Sequence, residues 1–262
     1  MGPDGTTLAN YWTTLPDFPA FVPSKFYLST PGLLLQDVPP QNTGRESFVY
    51  DPTNPQPTLG GHLLFGSCGQ YDQTHFEERS DVLVFTSAVL EEPLAVTGRI
   101  NASIWVSTTA NDTDVLVKLI DVYPDGRSMF IADGIRRLRW RYDRSQPPVA
   151  TQPNAIYEAV IDVWSTSYIF EAGHRVKIHV SSSSFDRYSV NYNSNYDEID
   201  KENGPKVVAT NTIYFSPQYP SYISLPIVQL DQLPNNFDNQ IAHGPAGTMP
   251  PELAPFEKFF FH

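Results

Sequence analysis

The sequence predicts an all-β protein, a β-sandwich or jelly roll. Three observations predict it. About eight segments between residues 80 and 229 read as strands, period-two alternation marks the clearest of them, and turn residues join them with almost no helix between.

Taken in order, short strands are expected at Lys25–Leu28, Leu33–Leu35 and Asp81–Thr86. In Leu94–Val106 the even positions are Leu94, Val96, Gly98, Ile100, Ala102, Ile104 and Val106, while Thr97, Arg99, Asn101 and Ser103 lie between them. Such alternation means a strand with one buried face. Asp114–Tyr123 has Val115, Val117 and Leu119 on one face and Leu116, Ile120 and Val122 on the other, which predicts a central strand. Pro124-Asp125-Gly126 supplies a tight reversal after it. In Ile135–Tyr142, Arg137, Arg139 and Arg141 alternate with Leu138, Trp140 and Tyr142, and a strand is expected there too. Ile156–Trp164, Arg175–Ser182, Val207–Phe215 and Tyr222–Val228 complete the set.

Residues 1–70 are rich in proline and aromatic side chains and are expected to wrap over another surface while contributing in part to the sandwich. Residues 71–229 are its body. Residues 230–262 form an irregular extension, because Pro234, Gly244, Pro245, Pro250, Pro251 and Pro255 oppose any regular element. The aromatic end Phe256–Phe261 is expected to dock on the sandwich or on a partner.

Composition excludes several functions. The 262 residues have a net charge of −12, which repels phosphate backbones, so no nucleic-acid partner is expected. No run of about 18 apolar residues predicts a membrane span, and the residues after Met1 do not resemble a signal peptide. The single cysteine, Cys68, cannot form an internal disulfide. The sequons at Asn101 and Asn111 matter only in a secreted chain.

Candidate chemistry is sparse. A nucleophile elbow has the pattern G-x-S-x-G at a strand-to-helix turn, and none occurs; Ser181-Ser182-Ser183-Ser184 ends a strand without framing glycines. The six histidines form no metal-binding spacing. His179 is expected on a solvated strand face with Arg175 and Lys177, and His174, between a turn and a strand, in a structural hydrogen bond. Asn111-Asp112-Thr113-Asp114 offers oxygen ligands but lacks the glycine and bidentate glutamate of a calcium loop, so a hydrophilic turn is expected. No catalytic residue, metal ligand or cofactor is assigned.

Tyr50-Asp51-Pro52-Thr53-Asn54-Pro55-Gln56-Pro57-Thr58-Leu59-Gly60-Gly61 resembles a string of the C-terminal domain in the cocaine esterase / X-Pro dipeptidyl-peptidase family. Asp72-Gln73, Glu78–Leu83, Asp112-Thr113-Asp114, Pro124–Arg127, Asp133-Gly134-Ile135, Ala172–Arg175 and Ser181-Ser182-Ser183 follow in that family's order. The resemblance implies a jelly roll of the galactose-binding-like type that packs on an α/β-hydrolase domain of the same parent protein. It also implies that the Ser, Asp and His of the catalytic triad all lie upstream of this chain. The loop after the glycine pair would face the acyl pocket, where Leu63, Leu64 and Phe65 offer apolar walls; a place in the sandwich core is the competing reading. With Asp72 and His75 these are the candidate pocket or domain-interface residues. Exposed apolar segments admit a second copy of the chain as a further partner. The competing functional class is a carbohydrate-binding or adhesion module, which needs exposed aromatics such as Tyr188, Tyr192 and Tyr196.

Overall fold

A computed structural model describes residues 10–11, 13–39, 44–63, 66, 68–142, 145–194 and 204–234. Leu64, Phe65, Tyr196 and the aromatic end Phe256–Phe261 lie outside them. Among the described residues there are eleven strands, three short 3₁₀ turns and no α-helix. The strands are β1 (Val22–Ser29), β2 (Leu33–Leu35), β3 (Arg45–Tyr50), β4 (Leu83–Thr86), β5 (Leu94–Thr108), β6 (Asp114–Val122), β7 (Ser128–Arg137), β8 (Tyr157–Phe170), β9 (Arg175–Ser181), β10 (Ala209–Tyr214) and β11 (Tyr222–Val228).

The strands form one hydrogen-bonded path, β3-β10-β5-β11-β1-β2-β4-β9-β6-β7, with β8 joined to β5. Strands β1 to β3 arise from the proline-rich N-terminal segment, yet they pair within this sheet: β1 with β11 and β3 with β10. The path folds over one core. Val96, Ile100 and Ile104 of β5 and Ile161 and Val163 of β8 share it with Val117 and Leu119 of β6 and Ile178 and Val180 of β9. Burial of these apolar faces is the main drive for the all-β sandwich. Strand β6 lies between β7 and β9 and is covered on both faces, as its doubly apolar pattern predicts.

Two expectations fail here. The strand expected to run to Tyr142 ends at Arg137, and Leu138–Trp140 forms a 3₁₀ turn. The Leu138 N–H donates to the carbonyl of Thr113, and Asp112 and Asp114 draw in the neighbouring arginines, so non-local partners override the alternating pattern. The second failure is the lower part of the same strand: β7 already begins at Ser128.

Strand β8 has one residue more than β5 between the pairs Arg99↔Ser165 and Asn101↔Asp162, which makes a bulge. Trp164 sits in it at φ 70°, left-handed backbone that costs a bulky residue about 1–2 kcal/mol. The Asp162 carboxylate holds the bulge, accepting the Trp164 N–H at 3.1 Å and pairing with Arg99.

Candidate functional site

The outer face of β9, β6 and β7, turned away from the core, carries a polar ladder. His179, Lys118 and Asp133 stand side by side on the three strands. A sheet face with such residues would ordinarily meet water. Here residues 56–63 and 68–77 and the loop 181–194 cover it, and Lys118, Asp133 and His179 are all under 2% exposed.

The covering segment is fastened to the edge of β7. The Phe130 N–H donates to the Tyr71 carbonyl, and the Ser128 N–H donates to Asp72 Oδ1 at 3.0 Å. Asp72 also accepts from the Thr74 N–H and hydroxyl, so it shapes the Thr74–Phe76 turn. Burial opposes its charge, but the bonds from Thr74 and Ser128 outweigh that and hold its carboxyl below the ordinary range.

Glu77, just after that turn, is the hub beneath the cover. It accepts from Ser128 Oγ (2.6 Å) and Lys177 Nζ (2.8 Å), and His179 Nε2 lies 3.3 Å away. Burial works against its ionisation, yet the bonds from His179, Lys177 and Ser128 bring its pKa down to about 2. Lys118 donates to Gln73 Oε1 at 3.1 Å and lies over the Phe76 ring; burial brings its pKa down to about 8 despite Asp133. Burial raises Asp133, against Arg187 at 3.3 Å.

His179 is therefore not the solvated strand histidine expected from its polar neighbours. Lys177 and His179 face inward onto Glu77, and burial lowers the His179 pKa. The missed signal lay in β6: a lysine amid Leu116, Val117, Leu119 and Ile120 on a strand apolar on both faces has to be buried and needs a partner.

The hub gives a pH-dependent prediction. A carboxyl whose folded pKa lies below 4.5 contributes stability that is present above pH 4.5 and lost as pH falls through about 2. Glu77→Gln should lose roughly 3 kcal/mol at neutral pH. Its deficit against the parent chain should shrink as pH drops from 4.5 toward 2. Urea titrations at several pH values measure this, and a deficit constant with pH refutes the hub.

Next along the same face, Asp112 and Asp114 are buried rather than part of a hydrophilic turn. Arg137 binds Asp114 through two bonds of 2.8 and 2.9 Å, the Arg139 N–H donates to Asp112, and Asn191 Nδ2 donates to both carboxylates. Burial, then the Asp114 charge, push Asp112 up to about 6. Beside this pair opens a cleft of about 420 Å³ lined by Asp114, Arg136, Arg137, Trp140, Tyr188 and Ser189, with Ile135.

Of the candidate residues, Leu63 is half-buried, in a loop closed by mutual backbone bonds of 2.7 and 2.9 Å between Gly61 and Gly69. Its neighbour His62 stacks on Trp164, with 5.8 Å between ring centroids, and faces the edge of Phe130. His75 is exposed beside Phe76. Asp72 and His75 thus share the Thr74–Phe76 turn near the start of β7, while His62 and Leu63 lie past Phe130.

The other candidates have structural roles. Ser183 Oγ accepts the Gln56 N–H, Ser184 bonds Thr58, and Ser182 accepts from Asn211, so the serine run ties the cover down. His174 Nδ1 meets Asp121 at 2.9 Å, with Tyr168 on the same carboxylate, which is the structural bond expected of it. Tyr188 and Tyr192 are half-buried: Tyr188 donates to Asp133, and Lys206 lies over Tyr192. They do not make the open aromatic face that a sugar-binding module needs.

Comparison with known proteins agrees with this picture. The family described as the X-Pro dipeptidyl-peptidase C-terminal non-catalytic domain matches residues 2–224. A cocaine esterase of Rhodococcus sp. (strain MB1 Bresler) is 41% identical over 186 residues, 70% of this chain and 32% of the esterase. A putative serine esterase of Mycobacterium bovis is 26% identical over 86% of this chain and 37% of its own length. Among solved structures, an aminopeptidase from a marine sediment archaeon, Thaumarchaeota archaeon, superposes with a TM-score of 0.76 at 28% identity, covering 84% of this chain and 39% of the other. An alpha-amino acid ester hydrolase superposes with a TM-score of 0.68 at 29% identity, covering 78% and 36%. The chain spans between 32% and 39% of the length of these relatives. With most of its length matched and the same all-β architecture, the chain belongs to the family of X-Pro dipeptidyl-peptidase C-terminal non-catalytic domains.

Proposed function

We propose that this domain completes a serine hydrolase that cleaves ester or peptide acyl bonds, and that it packs on the α/β-hydrolase domain of that parent. The observation that carries this reading is the 41% identity to an esterase of which the chain covers only 32%. The chemistry would be supplied by the partner domain: a serine hydroxyl attacks the acyl carbonyl, a histidine takes its proton, and backbone donors hold the oxyanion. Within this chain the loop at Leu63, Leu64 and Phe65, with Asp72 and His75, would help shape the substrate pocket. The three-part division into residues 1–70, 71–229 and 230–262, the jelly-roll winding, and self-association through exposed apolar side chains such as Phe18 and Phe21 belong to the same proposal.

The 262-residue chain alone should not turn over p-nitrophenyl acetate or an X-Pro anilide, whereas the parent should, with full loss after a serine-directed inhibitor. Inhibitor-sensitive turnover by the isolated chain would overturn the reading. In the parent, Phe65→Ala should raise KM or change acyl preference with an unchanged melting curve. A melting loss of about 3–5 kcal/mol with unchanged preference would instead put Phe65 in a core.

A further inference from the structure

The loop that leaves the glycine pair hangs on one side chain of a distant segment. Gly60 and Gly61 stand at φ 76° and 87°, so two consecutive left-handed residues form the joint through which the chain enters this loop. Glycine adopts such backbone at little cost, and it restrains the chain less than any other residue. A joint of this kind aims nothing by itself. Leu63, one of the residues proposed above to shape the acyl pocket, stands two positions beyond it.

Arg187 spans the joint. Its backbone N–H donates to Thr58 Oγ1 at 3.2 Å, before the glycines, and its Nη1 donates to the His62 carbonyl, after them. The Arg187 backbone is fixed in turn: Phe185, two residues earlier, bridges Pro57, and its N–H donates to the Gln56 carbonyl at 2.8 Å. The guanidinium is fixed as well. Its Nη2 lies 3.3 Å from Asp133 Oδ1, with the two side chains 10% and 2% exposed, so little water competes for the pair. The planar fork of an arginine therefore places one nitrogen on Asp133 and the other on the loop. His62 is also held at its far end, where the ring stacks on Trp164 and meets the edge of Phe130.

We propose that Arg187 is a positioning residue for the reaction of the parent enzyme: by splinting the Gly60-Gly61 joint it sets where Leu63 stands against the acyl group, and so which acyl chains are accepted. The inference rests on the pocket proposed for this loop and adds the residue that aims it. Its substrates are esters with an apolar acyl part, since an isobutyl side chain offers only an apolar wall. Arg187 acts through His62 and Leu63 and not on the reacting atoms, and a small displacement of a positioned group is enough to alter a rate.

The full-length parent, assayed with p-nitrophenyl acetate and p-nitrophenyl butyrate, tests the assignment. Arg187→Met should raise KM for the butyrate more than it lowers kcat, and the butyrate-over-acetate ratio of kcat/KM should fall roughly tenfold. The Gly61 and Gly69 amides, which close the loop on each other's carbonyls, should exchange roughly tenfold faster. Because Arg187→Met takes the guanidinium from a buried carboxylate, Asp133→Asn combined with Arg187→Met is the second variant. It strands no carboxylate, still frees the His62 carbonyl, and should show the same fall in ratio with a melting curve closer to the parent's. Arg187→Lys keeps a charge at Asp133 but not the fork, and should recover the melting curve and only part of the ratio. Full recovery by lysine assigns the effect to the charge and overturns the inference. An unchanged ratio in a variant that melts like the parent overturns it too, as does an equal loss of kcat for both esters, the mark of a merely structural role. Leu63→Ala separates the splint from the pocket. It should lower the ratio by itself, and its loss should not add to that of Arg187→Met, because both act through one loop. Additive losses, or an effect at Leu63 with Arg187 inert, overturn the inference and leave the pocket standing. Leu63→Ala with an unchanged ratio overturns the pocket and the inference together.

Discussion

Replacing Asp114 with alanine is expected to destabilise the domain by about 3–5 kcal/mol at neutral pH. The carboxylate is 3% exposed and takes two bonds from Arg137 and one from Asn191. Removing it takes the bidentate partner from a guanidinium whose side chain is 13% exposed and one of two acceptors from the Asn191 amide of the loop 181–194. The penalty arises from the groups left behind and not from the net worth of the pair. Asp114→Leu combined with Arg137→Met should therefore recover much of the loss. Urea denaturation of the two single variants and the double variant forms the cycle. A loss below about 1 kcal/mol in Asp114→Ala would place this pair with surface ion pairs and refute its burial. A second readout is independent of stability. The Asp114 charge is the second cause, after burial, that holds Asp112 at about 6, so in Asp114→Ala the Asp112 carboxyl should titrate lower.

The second large effect is expected at Gly134, where alanine should lose at least the upper end of the ~1–3 kcal/mol range for overpacking. A Cβ there would lie 2.0 Å from the Asp162 carbonyl oxygen, 2.8 Å from its carbon and 3.0 Å from Val163 Cα. All three are backbone atoms of β8, so no rotamer change relieves the clash, and β7 and β8 must separate. The position owes nothing to backbone freedom; it is set by close approach of two strands. Gly126 is the contrast, with φ 94° and open space around the added carbon. Gly126→Ala should lose only about 1–2 kcal/mol, from left-handed backbone alone. Melting curves of both variants separate the two reasons for glycine, and equal losses would refute the close approach.

The strands were legible where neighbours along the chain decide the outcome. Leu33–Leu35 and Tyr222–Val228 have the expected bounds, and Leu94–Val106 extends only to Thr108. Alternation reads well because a period-two apolar face can be buried in only one way. The all-β class and the central place of Asp114–Val122 follow from the same pattern. Of the proposed site, the family strings marked the glycine pair and Asp72, while nothing in them marks Glu77 or Trp164.

What the tertiary structure alone decided is which polar faces meet water. His179 and Lys177 have the sequence of an outer face, and they are buried because Glu77, about 100 positions away, is brought over them by a segment fastened to the edge of β7. Arg137 and Arg139 read as an alternating strand and instead end one, because Asp114 opens the neighbouring strand and Asp112 lies just before it. Local pattern determines strands, since backbone hydrogen bonds and side-chain alternation act over a few residues. Burial of charge depends on a partner at arbitrary separation, since only pairing offsets the loss of water. The sequence by itself therefore determined the class of the fold, most of its strands and its kinship, but not strand β3 (Arg45–Tyr50). The buried ion pairs, the strained indole on β8 and the face it presents were decided only when the chain closed on itself.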